Sequence, residues 1–210
     1  MNNTKLILNF VIDNSASMKG EKILKLKNAL QKFDNELNSL SLFDKIEYSI
    51  TLFKGFNSTI YKTYENKLNL DQFYAGGIPF VNDALINGVS NLLKRIEILN
   101  KASIDTYKPW TILLLNGENY DNLDESVDQI LKIMKAGQMS YFPFALTDCE
   151  FDKSLGNLRK IKPFTVIKDE RYDDLFNWIL DVAKSRVEKP KNEPISISPN
   201  SFEGWTIKWY

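Results

Sequence analysis

Residues 6–12, Leu6-Ile7-Leu8-Asn9-Phe10-Val11-Ile12, form an apolar run broken only by Asn9, and the run stops at a carboxylate, Asp13. A short, nearly continuous apolar stretch is the mark of a central strand covered on both faces, which requires helices on either side of a mostly parallel sheet. Two serines at alternate positions and a glycine follow, so the strand delivers Asp13 to the edge of the sheet and into a loop. The Asp13-x-Ser15-x-Ser17 spacing can turn three oxygen-bearing side chains toward one point. A hard cation such as Mg²⁺ is held in this way, by a few protein oxygens and some retained water. A helix follows, and its free N–H groups face the same point. A plain strand–helix loop with Ser17 capping the helix accounts for the motif equally well.

The rest of the chain alternates strands and helices. Ile23, Leu26, Leu30, Phe33, Leu37 and Leu40 recur at steps of three and four, which predicts an amphipathic helix with Lys and Asn on its other face. Residues 45–53 alternate Ile46, Tyr48, Ile50 and Leu52 with Glu47, Ser49 and Thr51, which predicts a strand with one less buried face. Gly55 marks a turn, and residues 58–64 return as a hairpin partner at the sheet edge. A Gly-Pro loop at 73–80 precedes a helix with Val81, Ala84, Leu85, Val89, Leu92, Leu93 and Ile96 inward. Residues 110–115 are a second apolar run ending in a polar loop. Asp121 or Asp124 then caps a helix carrying Val127, Ile130, Leu131 and Met134, and Gly137 stops it. Residues 141–146, a short helix through Leu155, Leu158 and Ile161, residues 164–167 and a last helix with Leu175, Phe176, Ile179, Val182 and Ala183 complete the pattern. The expected fold class is α/β: a Rossmann-like, doubly wound, mostly parallel sheet flanked by helices, with one antiparallel edge strand. Ligands of such sheets sit beyond the carboxyl ends of the strands, so Asp13, Asn116 and Asp148 are candidates for one rim.

Composition narrows the function classes. Lys+Arg and Asp+Glu balance at 27 each in 210 residues, so no net field favours nucleic acid or an anionic membrane. With no histidine, His-based triads, His general bases and His-ligated zinc are excluded within this chain. The single cysteine, Cys149, fits a reducing, cytoplasmic setting and an inert packing role. The N-terminal apolar run has neither the length nor the cleavage site of a signal peptide, and no stretch is apolar enough to span a membrane. From residue 188 the composition changes. Pro190, Pro194 and Pro199 punctuate a segment that ends rich in aromatics, so 1–187 is expected to be one domain and 188–210 a tail docked on it.

Asp13-Asn14-Ser15-Ala16-Ser17 resembles the Asp-x-Ser-x-Ser motif of von Willebrand factor type A domains, where it forms the first loop of a metal-ion-dependent adhesion site. Met18-Lys19-Gly20-Glu21 resembles the small cytoplasmic bacterial branch that includes tellurium-resistance-associated proteins. The resemblance runs from residue 5 to residue 187. Residues 110–121 resemble the family's fourth strand and third metal loop, and residues 141–161 its next strand–loop–helix unit. It implies a non-enzymatic protein-interaction module in a cytoplasmic signalling or stress-resistance assembly. Its metal ligands would be Asp13, Ser15, Ser17 and Asn116, within a partner-binding rim of Asn14, Gly77, Ile78, Glu118 and Asp148.

In intact members a partner's acidic side chain completes the cation's coordination. Two departures weaken this. Where the family offers a threonine after two glycines, Gly76-Gly77 is followed by Ile78, which has no oxygen; Asn82 or Asp83 could stand in. Where the family has Asp-Gly, this chain has Asn116-Gly117, which brings no charge. Divalent affinity depends strongly on ligand charge, so weak Mg²⁺ binding or none is expected. The same loops could serve metal-free recognition through hydrogen bonds. Two other readings belong to different classes. One is a metal-dependent phosphoryl-transfer or hydrolytic enzyme with Asp13 as nucleophile, for which Ser15 stands where a second acid is wanted. The other is a scaffold that binds through its aromatic tail.

Overall fold

The computed structural model describes residues 4–40, 42–55, 58–64, 66–117, 119–146, 155–195 and 205–208. The apolar run at the start is the centre of the molecule. It forms β1 (Leu6–Asp13), buried at every position, and pairs in parallel with β2 (Ile46–Phe53) on one side and β4 (Trp110–Leu115) on the other. β3 (Ser58–Lys62) lies antiparallel to β2, and β5 (Ser140–Ala145) and β6 (Phe164–Ile167) extend the sheet in parallel beyond β4. The backbone of β7 (Trp205–Lys208) pairs antiparallel with β6, giving the order β3-β2-β1-β4-β5-β6-β7. The expected antiparallel edge strand is β3; the C-terminal segment supplies a second at the opposite edge.

The pleat of β1 divides the core. Leu6, Leu8, Phe10 and Ile12 face α1 (Glu21–Ser39) and α5 (Tyr172–Glu188). Ile7 and Val11 face the other layer, where α2 (Val81–Lys101), α3 (Asp124–Lys135) and the short α4 (Gly156–Ile161) pack. On the first face Phe10, Phe33, Tyr48 and Phe176 form an aromatic cluster with ring centroids 5.5–6.0 Å apart. Leu40 departs from the predicted α1 stripe: it follows the helix end at Ser39 and is 44% exposed.

β2 departs further. Its alternation predicts one less buried face, yet all eight residues are buried. Its polar side lies under α2, where Ser49 and Glu47 find partners on other elements and the Thr51 hydroxyl has none among the described residues. Ser49 donates to Asn9 (3.2 Å), and Asn9 donates in turn to Thr111 (3.3 Å), a polar ladder across three strands. Glu47 is clamped by Arg95 of α2 at 2.8 and 3.1 Å and by Lys5 at 2.5 Å. α2 approaches closely because Gly88 has no side chain: a Cβ there would sit 2.9 Å from Cγ2 of Val11 and 3.2 Å from Asn9 and Thr51.

After α5 the chain turns back along the domain. The Arg186 guanidinium donates to the carbonyls of Glu193 (2.7 Å) and Pro190, Tyr107 donates to the Lys189 carbonyl (3.2 Å), and Ile195 packs against the first core layer. No helix among the described residues is long and apolar enough to cross a membrane.

Two predictions follow from the α2 interface. Gly88→Ala will lower the urea midpoint: overpacking costs about 1–3 kcal/mol, against about 1 kcal/mol returned by helix propensity. A stabilised variant would contradict the close approach. For Glu47, burial by itself raises the pKa, but the hydrogen bonds from Arg95 and Lys5 outweigh it and hold the carboxyl below its ordinary value. Its contribution to stability is therefore present above the ordinary glutamate pKa of about 4.3 and is lost as pH falls through the lower folded value. Arg95→Ala leaves Glu47 only Lys5 and should cost roughly 3 kcal/mol at neutral pH. Urea unfolding across pH should show the variant's deficit shrinking as Glu47 becomes protonated; a deficit independent of pH would sink this account.

Candidate functional site

Three loops meet at the carboxyl end of the sheet. The first follows β1, the second precedes α2 and the third follows β4. Asp13 lies at their junction with no exposed surface. One carboxylate oxygen accepts the amide of Ser15 at 2.8 Å, closing a turn within the first loop. The other accepts the amide of Asn116 at 3.0 Å, which ties β1 to the third loop. Ser15 and Ser17 share a hydroxyl–hydroxyl bond of 2.9 Å. Asn116 donates through its amide to the Ser17 carbonyl (3.1 Å), and its own side-chain oxygen accepts from the Lys22 ammonium (3.3 Å). The second loop is bound to the first by Gly76 N–H to the Asn14 carbonyl (2.9 Å) and Ala16 N–H to the Gly77 carbonyl (2.8 Å). Gly77 has φ +67°, and a Cβ there would meet the Lys54 carbonyl at 2.9 Å, so only glycine fits.

The predicted metal residues are thus brought together, but with side-chain oxygens bonded to one another, to backbone amides and to the Lys22 ammonium. Asp13, Asn14 and Ser15 have no exposed surface and Asn116 is 5% exposed; only Ser17 is half-buried. Asn14, expected on the partner-binding rim, instead lies beneath it. It donates to the Tyr74 carbonyl at 3.1 Å, and its own side-chain oxygen has no partner among the described residues. Gly77 and Ile78 are exposed beside the junction, Ile78 by 43%. Glu118 and Asp148, and Cys149 beside the latter, lie outside the described residues.

The two candidates for replacing the missing threonine are used elsewhere. Asp83 accepts from the Ser58 amide (2.8 Å) and hydroxyl (2.7 Å), fixing the start of β3. Asn82 accepts the Ser126 amide at 3.0 Å, capping α3. Asp121, one of the two residues expected to cap α3, accepts the amides of Val81 (3.0 Å) and Asn82 (2.8 Å) and so caps α2. The two helices exchange caps because their N-termini abut, a tertiary fact that sequence spacing does not carry. Burial raises the Asp121 carboxyl above its ordinary value, even though the Asn82 and Val81 amides pull it down. Ser17 does not cap α1; it sits in a single 3₁₀ turn (Ala16–Met18), and Gly20 stands at the α1 N-cap with φ +83°.

The rim also holds residues the sequence reading passed over. Lys22 reads as one more polar residue on the outer face of α1; its place in the second position after the loop is the signal that could have found it. Tyr74 and Tyr120 are 59% and 61% exposed, and the Tyr120 amide is bonded to the Pro79 carbonyl (3.3 Å), next to Ile78. Below the rim Tyr172 is buried, and burial first, then the carboxylates of Glu170 and Asp13, raise its phenol above the ordinary range.

Ile78 brings no oxygen, the Asn116 oxygen faces an ammonium, and both oxygens of Asp13 are held by amides. No group of three or more His, Cys, Asp and Glu side chains placed to hold a metal occurs among the described residues.

The sheet order and the loop that follows the central strand define this as a von Willebrand factor type A fold. The VWA domain of SpRpn10 matches 92% of this chain and 100% of its own, with a TM-score of 0.60 and 11% identity. The pilus adhesin SpaC from Lactobacillus rhamnosus GG, in its open conformation, matches 90% of this chain and 30% of its own, with a TM-score of 0.62 and 12% identity. In sequence, the chain is 31% identical over 149 residues to inter-alpha-trypsin inhibitor heavy chain H1 of Sus scrofa, and 27% identical over 139 residues to that of Homo sapiens. These matches take in 68% and 64% of this chain but only 16% and 15% of the relatives' length. No family profile matches the chain.

Asp13→Ala tests the junction. It strands the Ser15 and Asn116 amides, at about 1–3 kcal/mol for each donor left unpaired. Chemical denaturation should report that loss in the absence of any metal. A variant as stable as the parent in metal-free buffer would mean the carboxylate is not the tie described.

Proposed function

We propose that this chain is a non-enzymatic protein-interaction module whose contact surface is the three-loop rim, with a metal-ion-dependent adhesion site decayed to weak Mg²⁺ binding or none. The observation that carries the reading is the commitment of Asp13: both carboxylate oxygens are spent on internal amides, while the neighbouring Asn116 oxygen is held by Lys22. A ligand set with one buried carboxylate and no threonine is poor in charge, and charge sets divalent affinity. The same burial argues against Asp13 as a nucleophile, since it has no exposed surface from which to reach a substrate. The exposed aliphatic and aromatic side chains of Ile78, Tyr74 and Tyr120 at the rim favour protein recognition, where aromatic anchors carry much of the binding energy. The likeness of Met18-Lys19-Gly20-Glu21 to the bacterial branch supports a setting in a cytoplasmic signalling or stress-resistance assembly.

Titration of Mg²⁺ and Mn²⁺ into metal-stripped protein, followed calorimetrically, tests the decay. The parent should give no saturable heat, and the double variant Ile78→Thr with Asn116→Asp should gain binding. Tight binding by the parent that is lost in Ser17→Ala would restore an intact metal site and overturn the reading.

A further inference from the structure

A lysine stands where the missing charge would be needed. The Lys22 ammonium lies 3.3 Å from the side-chain oxygen of Asn116, the residue that replaces the third-loop aspartate. No described carboxylate pairs with Lys22. Glu21, its neighbour in sequence, turns toward Lys25 at 3.7 Å, and Lys25 is itself bonded to Glu170 at 2.6 Å. Lys54, across the rim, is likewise without a described carboxylate, and its ammonium rests on the Tyr74 ring at 3.6 Å from the centroid. The carboxylate at the centre, Asp13, is sealed from solvent. Among the described residues the rim therefore presents ammonium groups that no carboxylate pairs, beside the exposed side chains of Tyr74, Ile78 and Tyr120. An asparagine that accepts from a lysine does not repel it or neutralise it, so the ammonium keeps its charge for a ligand.

We infer that Lys22 is a tethered cation that replaces the metal ion, and that the rim receives, without metal, a partner protein segment in which an acidic side chain is flanked by apolar ones. The carboxylate pairs with Lys22 over Asn116, and the apolar neighbours pack on Ile78 and the two tyrosines. This rests on the rim being the contact surface. The residue that removes a ligand from the metal set, Ile78, thereby becomes part of the contact, and a half-buried ammonium supplies the counter-charge at no cost in metal affinity. Because the attraction is electrostatic at a solvent-exposed rim, it weakens with salt.

The test is amide chemical-shift mapping on the full chain in the presence of a chelator. The probes are the acetylated, amidated peptide Gly-Leu-Asp-Leu-Gly and its twin with Asn in place of Asp. The expected result is saturable shifts at Ser17, Lys22, Asn116 and Ile78 with the Asp peptide and much smaller ones with the Asn peptide. Lys22→Gln should weaken the Asp peptide roughly tenfold, the equivalent of about 1.4 kcal/mol, and Lys22→Arg should largely retain it. Rim shifts that are equal for both peptides and indifferent to Lys22→Gln overturn the role of Lys22 and leave the rim as the contact surface. Rim shifts that appear only when Mg²⁺ replaces the chelator do the same, in favour of a working metal site. Absence of rim shifts under both conditions overturns the inference and the rim reading together.

Discussion

A buried carboxylate needs hydrogen-bond donors, and here the fold itself supplies them. Asp13 ends the central strand with no exposed surface, and its two oxygens take one amide from its own loop and one from the loop after β4. This is what brings the two loops together, and the geometry of the rim depends on it. Hydrogen bonds to a charged acceptor are roughly twice as strong as neutral ones. The pair therefore acts as a fixed strut between adjacent parallel strands at the point where the sheet opens to solvent. A consequence is that Asp13 cannot be varied to probe recognition alone, since any substitution also loosens the strut.

Much of the fold was legible because period and burial agree. β1 reads as continuously apolar and is covered on both faces, and its odd and even residues go to different helical layers. α1 follows its three-and-four spacing as far as Leu37. The alternation of β2 misled because it reports polarity, not exposure. Glu47, Ser49 and Thr51 are polar and buried; Arg95 and Lys5 satisfy Glu47 and Asn9 satisfies Ser49, while the Thr51 hydroxyl has no partner among the described residues. Each of those partners is remote in sequence, so no local pattern could announce them. The exchange of caps between α2 and α3 was illegible for the same reason: Asp121 lies one turn ahead of α3 in sequence and at the start of α2 in space.

The candidate site was legible as a place and not as a state. The Asp13-x-Ser15-x-Ser17 spacing located the junction, and Ile78 and Asn116 marked where the family pattern lapses. What spacing could not convey is which oxygens remain available. Serine hydroxyls that bond each other at 2.9 Å, and an asparagine whose two polar atoms are taken by the Ser17 carbonyl and by Lys22, form a closed set. Lys22 escaped notice because a lysine on the polar face of an amphipathic helix is the commonplace reading; only the turn of the first loop brings it over Asn116.

A closed set of internal bonds has a bearing on recognition that an open metal site would not. Binding must offset the ordering of every side chain and loop it immobilises. At this rim the ordering is done during folding: the first loop is bonded to the second through Gly76 and Gly77, the second to the third through Pro79 and Tyr120, and the third to the first through Asp13 and Asn116. The exposed side chains of Ile78, Tyr74 and Tyr120 stand on loops that are held on several sides. A segment docked there, as proposed above, would meet a preorganised surface, so more of its contact energy would be realised as affinity.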